Sequence, residues 1–406
     1  MKPYRPPQII LRRYADVLVN FALGEGKGVK KGDVVYFAAY EYAKPLYMEV
    51  LRTLTKAGAN AITQYIPNSD NEFNPTRDFY VNAREHQINF FPSRYFRGLV
   101  DEMDHSLFIL SETDMEALKG VPPAKIMARS RAFKPYQEWR REKENKGRFS
   151  WTLALYGTHA QAREAGLSER EYWSQIIKAC YLDRPNPVAV WKKTDKSIRS
   201  VATRLTRLPI RRLHIEGPDA DLWISLGRKR RWVGGGGANI PSFEIFTSPD
   251  ARGTEGWIRF NQPTYRQGNI IEGTKLIFRK GVIVAATARR GKKFLKELVR
   301  APGANRIGEY SLTDRRFSRI TKFMAETLYD ENIGGPHGNT PLAIGSSYHV
   351  CYDGNPVKVG RVGWKKLGFN DSPVHQDFIS TAPRTVTAHL QNGRTRVIYR
   401  DGQFTI

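Results

Sequence analysis

Residues 31–66 read KGDVVYFAAYEYAKPLYMEVLRTLTKAGANAITQYI, and this stretch decides the fold class. Val34–Ala38 is a short apolar run directly after Lys31-Gly32-Asp33, the pattern of a buried strand. Leu46, Val50, Leu51 and Leu54 then recur at i, i+4, i+5 and i+8, one face of a helix that Gly58 stops. A second apolar run, Ala61–Ile66, follows. Strands separated by a helical segment imply parallel pairing through a crossover. Working outward, further strands are expected at Ser106–Leu110, Lys125–Ala128 and Trp151–Leu155, with a helix over Glu169–Tyr181. Arg140–Arg148 reads as a charged, exposed connection. Gly24, Gly26 and Gly28 precede the first strand, and Val29 breaks the Gly-x-Gly-x-x-Gly pattern, so they form a loop and not a phosphate cradle.

From about Thr206 the texture changes. Leu222, Ile224 and Leu226 alternate with Trp223 and Ser225, and Lys275–Ala286 reads as a hairpin turning near Lys280-Gly281. Asn392-Gly393 and Asp401-Gly402 favour tight reverse turns. The expectation is an α/β protein of two domains. An N-terminal doubly wound α/β domain covers residues 1–205, and a C-terminal α/β domain rich in antiparallel strand covers 206–406.

The length of 406 residues suits two domains at about 150 residues each. Cys180 and Cys351 are the only cysteines, which excludes a secreted disulfide framework and Cys-x-x-Cys zinc motifs. No apolar stretch follows the basic N-terminus, and no run approaches the roughly 18 apolar residues that span a bilayer, so a cytoplasmic location is expected. The formal net charge of +25 suits a nucleic-acid partner. Against this, the basic residues are spread along the chain, as at Arg228–Arg231, Arg289-Arg290 and Lys365-Lys366, with no basic tail. A solvated basic surface is the alternative.

Chemistry concentrates in the C-terminal half. On an extended strand His375 and Asp377 share a face, offering nitrogen and oxygen to a divalent metal. Glu244, Glu309 and Glu331 sit in apolar or glycine-rich settings, where a buried carboxylate must be paired, protonated or metal-bound. Each alone could pair with an arginine; together with His375 and Asp377 they point to a metal site.

These residues also carry a family resemblance. His214-Ile215-Glu216-Gly217-Pro218, Asn239-Ile240-Pro241 leading to Glu244–Pro249, Gly308-Glu309, Thr327–Asn332, Leu342–Tyr348 and Asn370-Asp371-Ser372 before His375 and Asp377 occur in the order of the thermophilic metallo-aminopeptidases. The chain resembles that family over residues 210–380, and more weakly through its N-terminal half. The resemblance implies a metal-dependent aminopeptidase, a homodimer, acting on short peptides. It implies two divalent ions, cobalt, zinc or manganese, held by Glu244, Glu309, Glu331, His375 and Asp377. It also gives Glu309 a role in proton transfer and Tyr348 a role at the oxyanion. His214 and Glu216 would lie by the substrate or behind the ligands. Trp232 and Gly234–Gly237 would form a loop at the cleft.

One position departs from the pattern. Where the family has a ligand histidine seven residues before the tyrosine, this chain has Pro341. Either His337 reaches the vacancy, or one metal is weak or absent, or the site serves another reaction or binding only. An iron dioxygenase on the same scaffold and an impaired, basic nucleic-acid-binding protein are the corresponding alternatives.

Overall fold

The computed structural model describes residues 4–70, 72–266 and 268–406. Strand Val34–Tyr40 lies between Asn60–Ile66 and His105–Leu110, parallel to both, and Ser150–Leu155 continues the parallel order. Helix Lys44–Lys56 makes the first crossover, burying Leu46, Val50 and Leu54. It ends at Gly58, whose φ of +75° a residue with a Cβ adopts only at a cost. The sheet's fifth strand, Asn239–Ile240, comes from the C-terminal half and pairs in parallel with Leu153 and Ala154.

Two expectations for the N-terminal half are corrected. Lys125–Ala128 belongs to helix Pro123–Ala132, not to a strand. Four apolar-flanked residues cannot distinguish the two, and the proline at its first position is compatible with a helix start. Arg140–Arg148 is not an exposed connection, because Arg140–Asn145 completes helix Lys134–Asn145. That helix buries no side chain fully, and its apolar face is only the pair Tyr136 and Trp139 at i and i+3, packed on Leu99, Val100, Met103 and Phe149.

Helix Glu169–Ala179 forms where expected, and the long helix Pro187–Arg207 leads into two large antiparallel sheets, beside a two-stranded ribbon of Thr264–Arg266 and Asn269–Ile271. One has eight strands, including the hairpin of Lys275–Arg279 and Val282–Thr287, which turns at Lys280-Gly281. The turns at Asn392-Gly393 and Asp401-Gly402 also join strands of this sheet. The other, five-stranded sheet is ordered His375–Phe378, Leu342–Gly345, Ile307–Thr313, Glu244–Thr247, Val233–Gly234. Every residue of its central strand, Ile307–Thr313, is buried. One continuous apolar core runs through both halves; Trp191 stacks on Phe21 at 5.8 Å and on Phe243 at 5.5 Å, next to Glu244. The chain is thus α/β, a parallel sheet with helices joined to antiparallel sheets. No helix among the described residues is long and apolar enough to cross a membrane.

Candidate active site

The register of the five-stranded sheet explains how distant residues meet. Glu309 lies opposite Ala343, which lies opposite Asp377, so the two carboxylates project from the same face one strand apart. His375, two residues from Asp377, shares that face. Glu244 lies opposite Thr313 on the other flank and accepts a hydrogen bond from Ser311 Oγ at 2.6 Å. Close approach at the strand end fixes the geometry: at Gly345 (φ +100°) a Cβ would stand 2.0 Å from the Val374 carbonyl.

Glu331 arrives from a loop that is locked in place. It follows the short helix Thr327–Asp330, its carbonyl accepts from Thr313 Oγ1 at 3.1 Å, and Asn332 Oδ1 accepts from Phe243 N at 2.5 Å. The N-terminal half holds the same loop: Tyr172 Oη donates to Met324 O at 2.8 Å, and Thr321 N donates to Gln175 Oε1 at 3.0 Å. Asn239 Nδ2 donates to Glu331 Oε1 at 3.3 Å.

Glu244, Glu309, Glu331, His375, Asp377 and Tyr348 line one cavity of about 900 Å³. The three glutamates are 6–7% exposed. Among the described residues, none of the four carboxylates makes an ion pair with lysine or arginine; Glu309 and Asp377 face only His375 Nε2, at 3.5 and 3.6 Å. Desolvation by burial pushes Glu244 up to about 8, with Asp377 adding to it, and raises Glu309 and Glu331 well above the carboxylate range, with neighbouring carboxylates adding. Four acids gathered with no lysine or arginine within ion-pair distance among the described residues are costly to ionise together. Among the described residues no three acidic, imidazole or thiolate groups converge on a common ion position. The donor set, four carboxylates and one imidazole on a single cavity, fits a divalent metal.

His375 is prepared as a ligand. Its Nδ1–H donates to the Ser346 carbonyl at 2.8 Å, which leaves the Nε2 lone pair facing the carboxylates. Tyr348 packs edge-on to His375 at 4.7 Å, and its backbone N–H donates to Ser248 Oγ at 2.9 Å. Burial, with Glu309 and Asp377 nearby, holds its phenol protonated. Trp232 and Gly234–Gly236 line the same cavity, where a loop was expected.

Pro341 falls on the face that carries Glu309, two residues before Ala343, with its carbonyl accepting from Ser311 N at 3.1 Å. It is buried, is not among the residues lining the cavity, and brings no ligand atom. The backbone of His337 sits against Gly402 and Tyr399, and the residue is not among those lining the cavity. His214 and Glu216 are also corrected. They lie on the eight-stranded sheet, where His214 pairs with Asp221 at 2.8 Å and Glu216 at 3.2 Å and stacks on Trp223, and neither lines the cavity.

Sequence reasoning missed Ser311, Asn239 and a side wall from the N-terminal half. Glu144, on helix Lys134–Asn145, lines the cavity and accepts from Trp151 Nε1 at 3.1 Å. The same helix reaches the rim through Arg141 to Ser346 Oγ at 3.0 Å and Asn145 to His349 Nδ1 at 3.0 Å. Nothing in a run of charges marks which one faces a cavity formed by a segment about 200 residues away.

The profile of the thermophilic metalloproteases (M29) matches residues 8–404. The chain belongs to that family. It is similar to aminopeptidase PepS of Streptococcus thermophilus, with 29% identity covering 98% of each chain. Its fold matches that of wild-type AmpT from Thermus thermophilus with a TM-score of 0.80 at 24% identity, covering 98% of this chain and 99% of the other. The 2,5-dihydroxypyridine dioxygenase of Pseudomonas putida KT2440 matches more loosely, with a TM-score of 0.53 at 13% identity over 98% of this chain and 96% of the other. Membership makes this thermophilic metalloprotease relative a hydrolase of the metallopeptidase type, and the expected use of divalent metal follows from the family.

Proposed function

We propose that the protein removes N-terminal residues from short peptides as a metal-dependent aminopeptidase. One observation carries the reading: Glu244, Glu309, Glu331, Asp377, His375 and Tyr348 surround a single cavity, and no lysine or arginine among the described residues pairs with those carboxylates. Glu244, Glu309, Glu331, His375 and Asp377 would hold two divalent ions, cobalt, zinc or manganese, or one where Pro341 withholds a ligand. Bound there, such ions supply an acidified water and an electrophile for the scissile carbonyl.

The chain's own groups do the rest. Glu309 takes the proton of the attacking water and passes it to the amine nitrogen as the C–N bond breaks. Tyr348 donates a hydrogen bond to the carbonyl oxygen as that oxygen gains charge. The acidic floor attracts the peptide's free ammonium group, and enclosure of the site within a homodimer would restrict substrates to short or unfolded chains. We place the protein in the cytoplasm as a homodimer, with the chain divided near residue 205, and mass measurement in solution tests the dimer.

The test is hydrolysis of aminoacyl chromogenic amides by chelated protein, with cobalt, zinc or manganese added back. Metal-restored turnover is expected; folded protein with no turnover under any metal overturns the reading. The competing reading is an iron dioxygenase on the same scaffold using His375 and Asp377 with one other histidine; among the described residues His375 is the one histidine lining the cavity, and the retained glutamates argue against it. Oxygen consumption by the iron-loaded protein, without amide hydrolysis, would establish it instead.

A further inference from the structure

The basic runs that were scattered along the sequence gather in the structure. Arg228–Arg230, Arg211 and Lys366 come from segments far apart in the chain, yet they line one open cleft of about 990 Å³. It is a different concavity from the carboxylate cavity, sharing with it the wall formed by Thr206 and Trp232. Arg211, Arg228, Lys229 and Lys366 are exposed, and none has a side-chain hydrogen bond or ion pair among the described residues. Two other cations are used structurally. Arg252 pairs with Asp250 at 2.8 and 2.6 Å, and Arg230 donates to the carbonyls of Ser248 and Leu367 and stacks over Phe369. Asp250 is thereby neutralised, which leaves Asp353 as the one carboxylate of the lining without a partner. The wall is also short of acceptors: Arg212 Nε and Trp232 Nε1 are buried donors with no partner.

A pocket that holds four uncommitted cations pays a repulsion that a surface could avoid by dispersing them. The matching ligand is polyanionic. Guanidinium forks fit tetrahedral oxyanions in a bidentate manner, and lysines add point charge. The neighbouring Trp223 has its ring contacted by His214 at 4.0 Å and Arg212 at 4.7 Å, so it offers no platform for a base. Recognition here is therefore by charge.

We propose that this cleft binds an oligophosphate, phosphates repeated at short spacing in a nucleic-acid backbone or in an inorganic chain. The proposal is independent of the peptidase reading, since it uses none of the cavity's carboxylates.

The experiment measures anisotropy of a labelled 12-nucleotide single strand with the full-length protein across a range of salt, with inorganic triphosphate as competitor. Four neutralised phosphates give a log–log salt slope of about −3, so tripling the salt weakens binding roughly twentyfold. Three charge reversals in the cleft, R211E/R228E/K366E, are compared with three on helix Lys292–Arg300, K292E/K293E/K296E, which change net charge equally at exposed positions. Loss of binding at least tenfold greater for the cleft set supports the site, and R211Q/R228Q/K366Q repeats the test with less risk to folding. Equal losses in the two sets, or no binding by the wild type at low salt, overturn it. Displacement by triphosphate identifies the inorganic source; displacement only by oligonucleotide identifies the nucleic-acid backbone.

Discussion

Two walls of the active-site cavity are built on opposite principles. The floor is the sheet centred on Ile307–Thr313, wholly buried and fixed by backbone pairing on both edges. The side wall is helix Lys134–Asn145, which buries no residue fully and reaches the rim through Lys134 to Asp371 at 2.7 Å, Arg141 to Ser346 and Asn145 to His349. A floor made this way holds charged groups at fixed positions in a dry medium. A wall that meets the rim through half-exposed polar contacts, and packs on its own half through Tyr136 and Trp139, holds its place less tightly than backbone pairing does. The proposed mechanism accordingly assigns the chemistry to the floor and fit to the wall.

The comparison breaks most easily at Glu309. Glu309→Ala should lower kcat by 10²-fold or more while the far-ultraviolet spectrum stays native, because the proposed mechanism gives this position both ligation and proton transfer. Tyr348→Phe removes one hydrogen bond to the developing oxyanion and should cost about 10²-fold, with KM little changed. Wild-type rates in either variant would remove the assigned site from the floor.

Pro341 offers a gain instead of a loss. It pairs with Ser311 on the strand beside Glu309 and contributes no donor atom. Pro341→His should raise the number of ions bound per chain, or tighten the weaker one about tenfold, as read by elemental analysis after dialysis at fixed free metal. Unchanged stoichiometry and affinity would mean that the site is complete without that ligand.

The division between floor and wall also separates what could be read in the sequence from what could not. The βαβ unit at residues 31–66 was legible because both its periods, two and 3.6, are local. His375 and Asp377 were legible as a same-face pair for the same reason, and the family resemblance singled out Glu244, Glu309, Glu331 and Tyr348, which the structure brings to one cavity. Helix Lys134–Asn145 was not legible, since its partners Ser346, His349 and Asp371 lie more than 200 residues away and its apolar face is only Tyr136 and Trp139 amid a run of charges. Lys125–Ala128 misled because a short apolar run fits either period. His214 and Glu216 misled because a strand end in one sheet says nothing about which sheet holds the site.

His349 sharpens the contrast through pH. It accepts from Asn145, stacks on Trp364 at 3.7 Å, and faces Arg141 and Asp371. Burial first, then Arg141, lowers it from 6.5 to about 3, with Asp371 opposing. Its folded pKa is depressed, so the unfolded chain binds the extra proton between those values, and stability falls as pH drops below about 6.5. The slope should reach at most about 1.4 kcal/mol per pH unit. Urea unfolding of His349→Phe from pH 7 to pH 5 should give a flatter profile than wild type; parallel profiles would show that His349 does not titrate on unfolding.

The smallest effect is expected at Asp371, where the wall meets the floor's domain. Its carboxylate accepts from Lys134 and lies 3.7 Å from Arg141, but its side chain is 43% exposed. Exposed pairs of this kind contribute about 0–1 kcal/mol and are screened by salt. Asp371→Asn should therefore cost no more than about 1 kcal/mol at low salt, and less at 1 M. Peptide hydrolysis should change mainly through KM, since the helix shapes the cavity without touching the reacting bond. A kcat loss approaching that of Glu309→Ala would erase the distinction: it would mean that the helix sets the position of Ser346 and, through its carbonyl, the orientation of His375, so that the polar wall and the buried floor act as one unit.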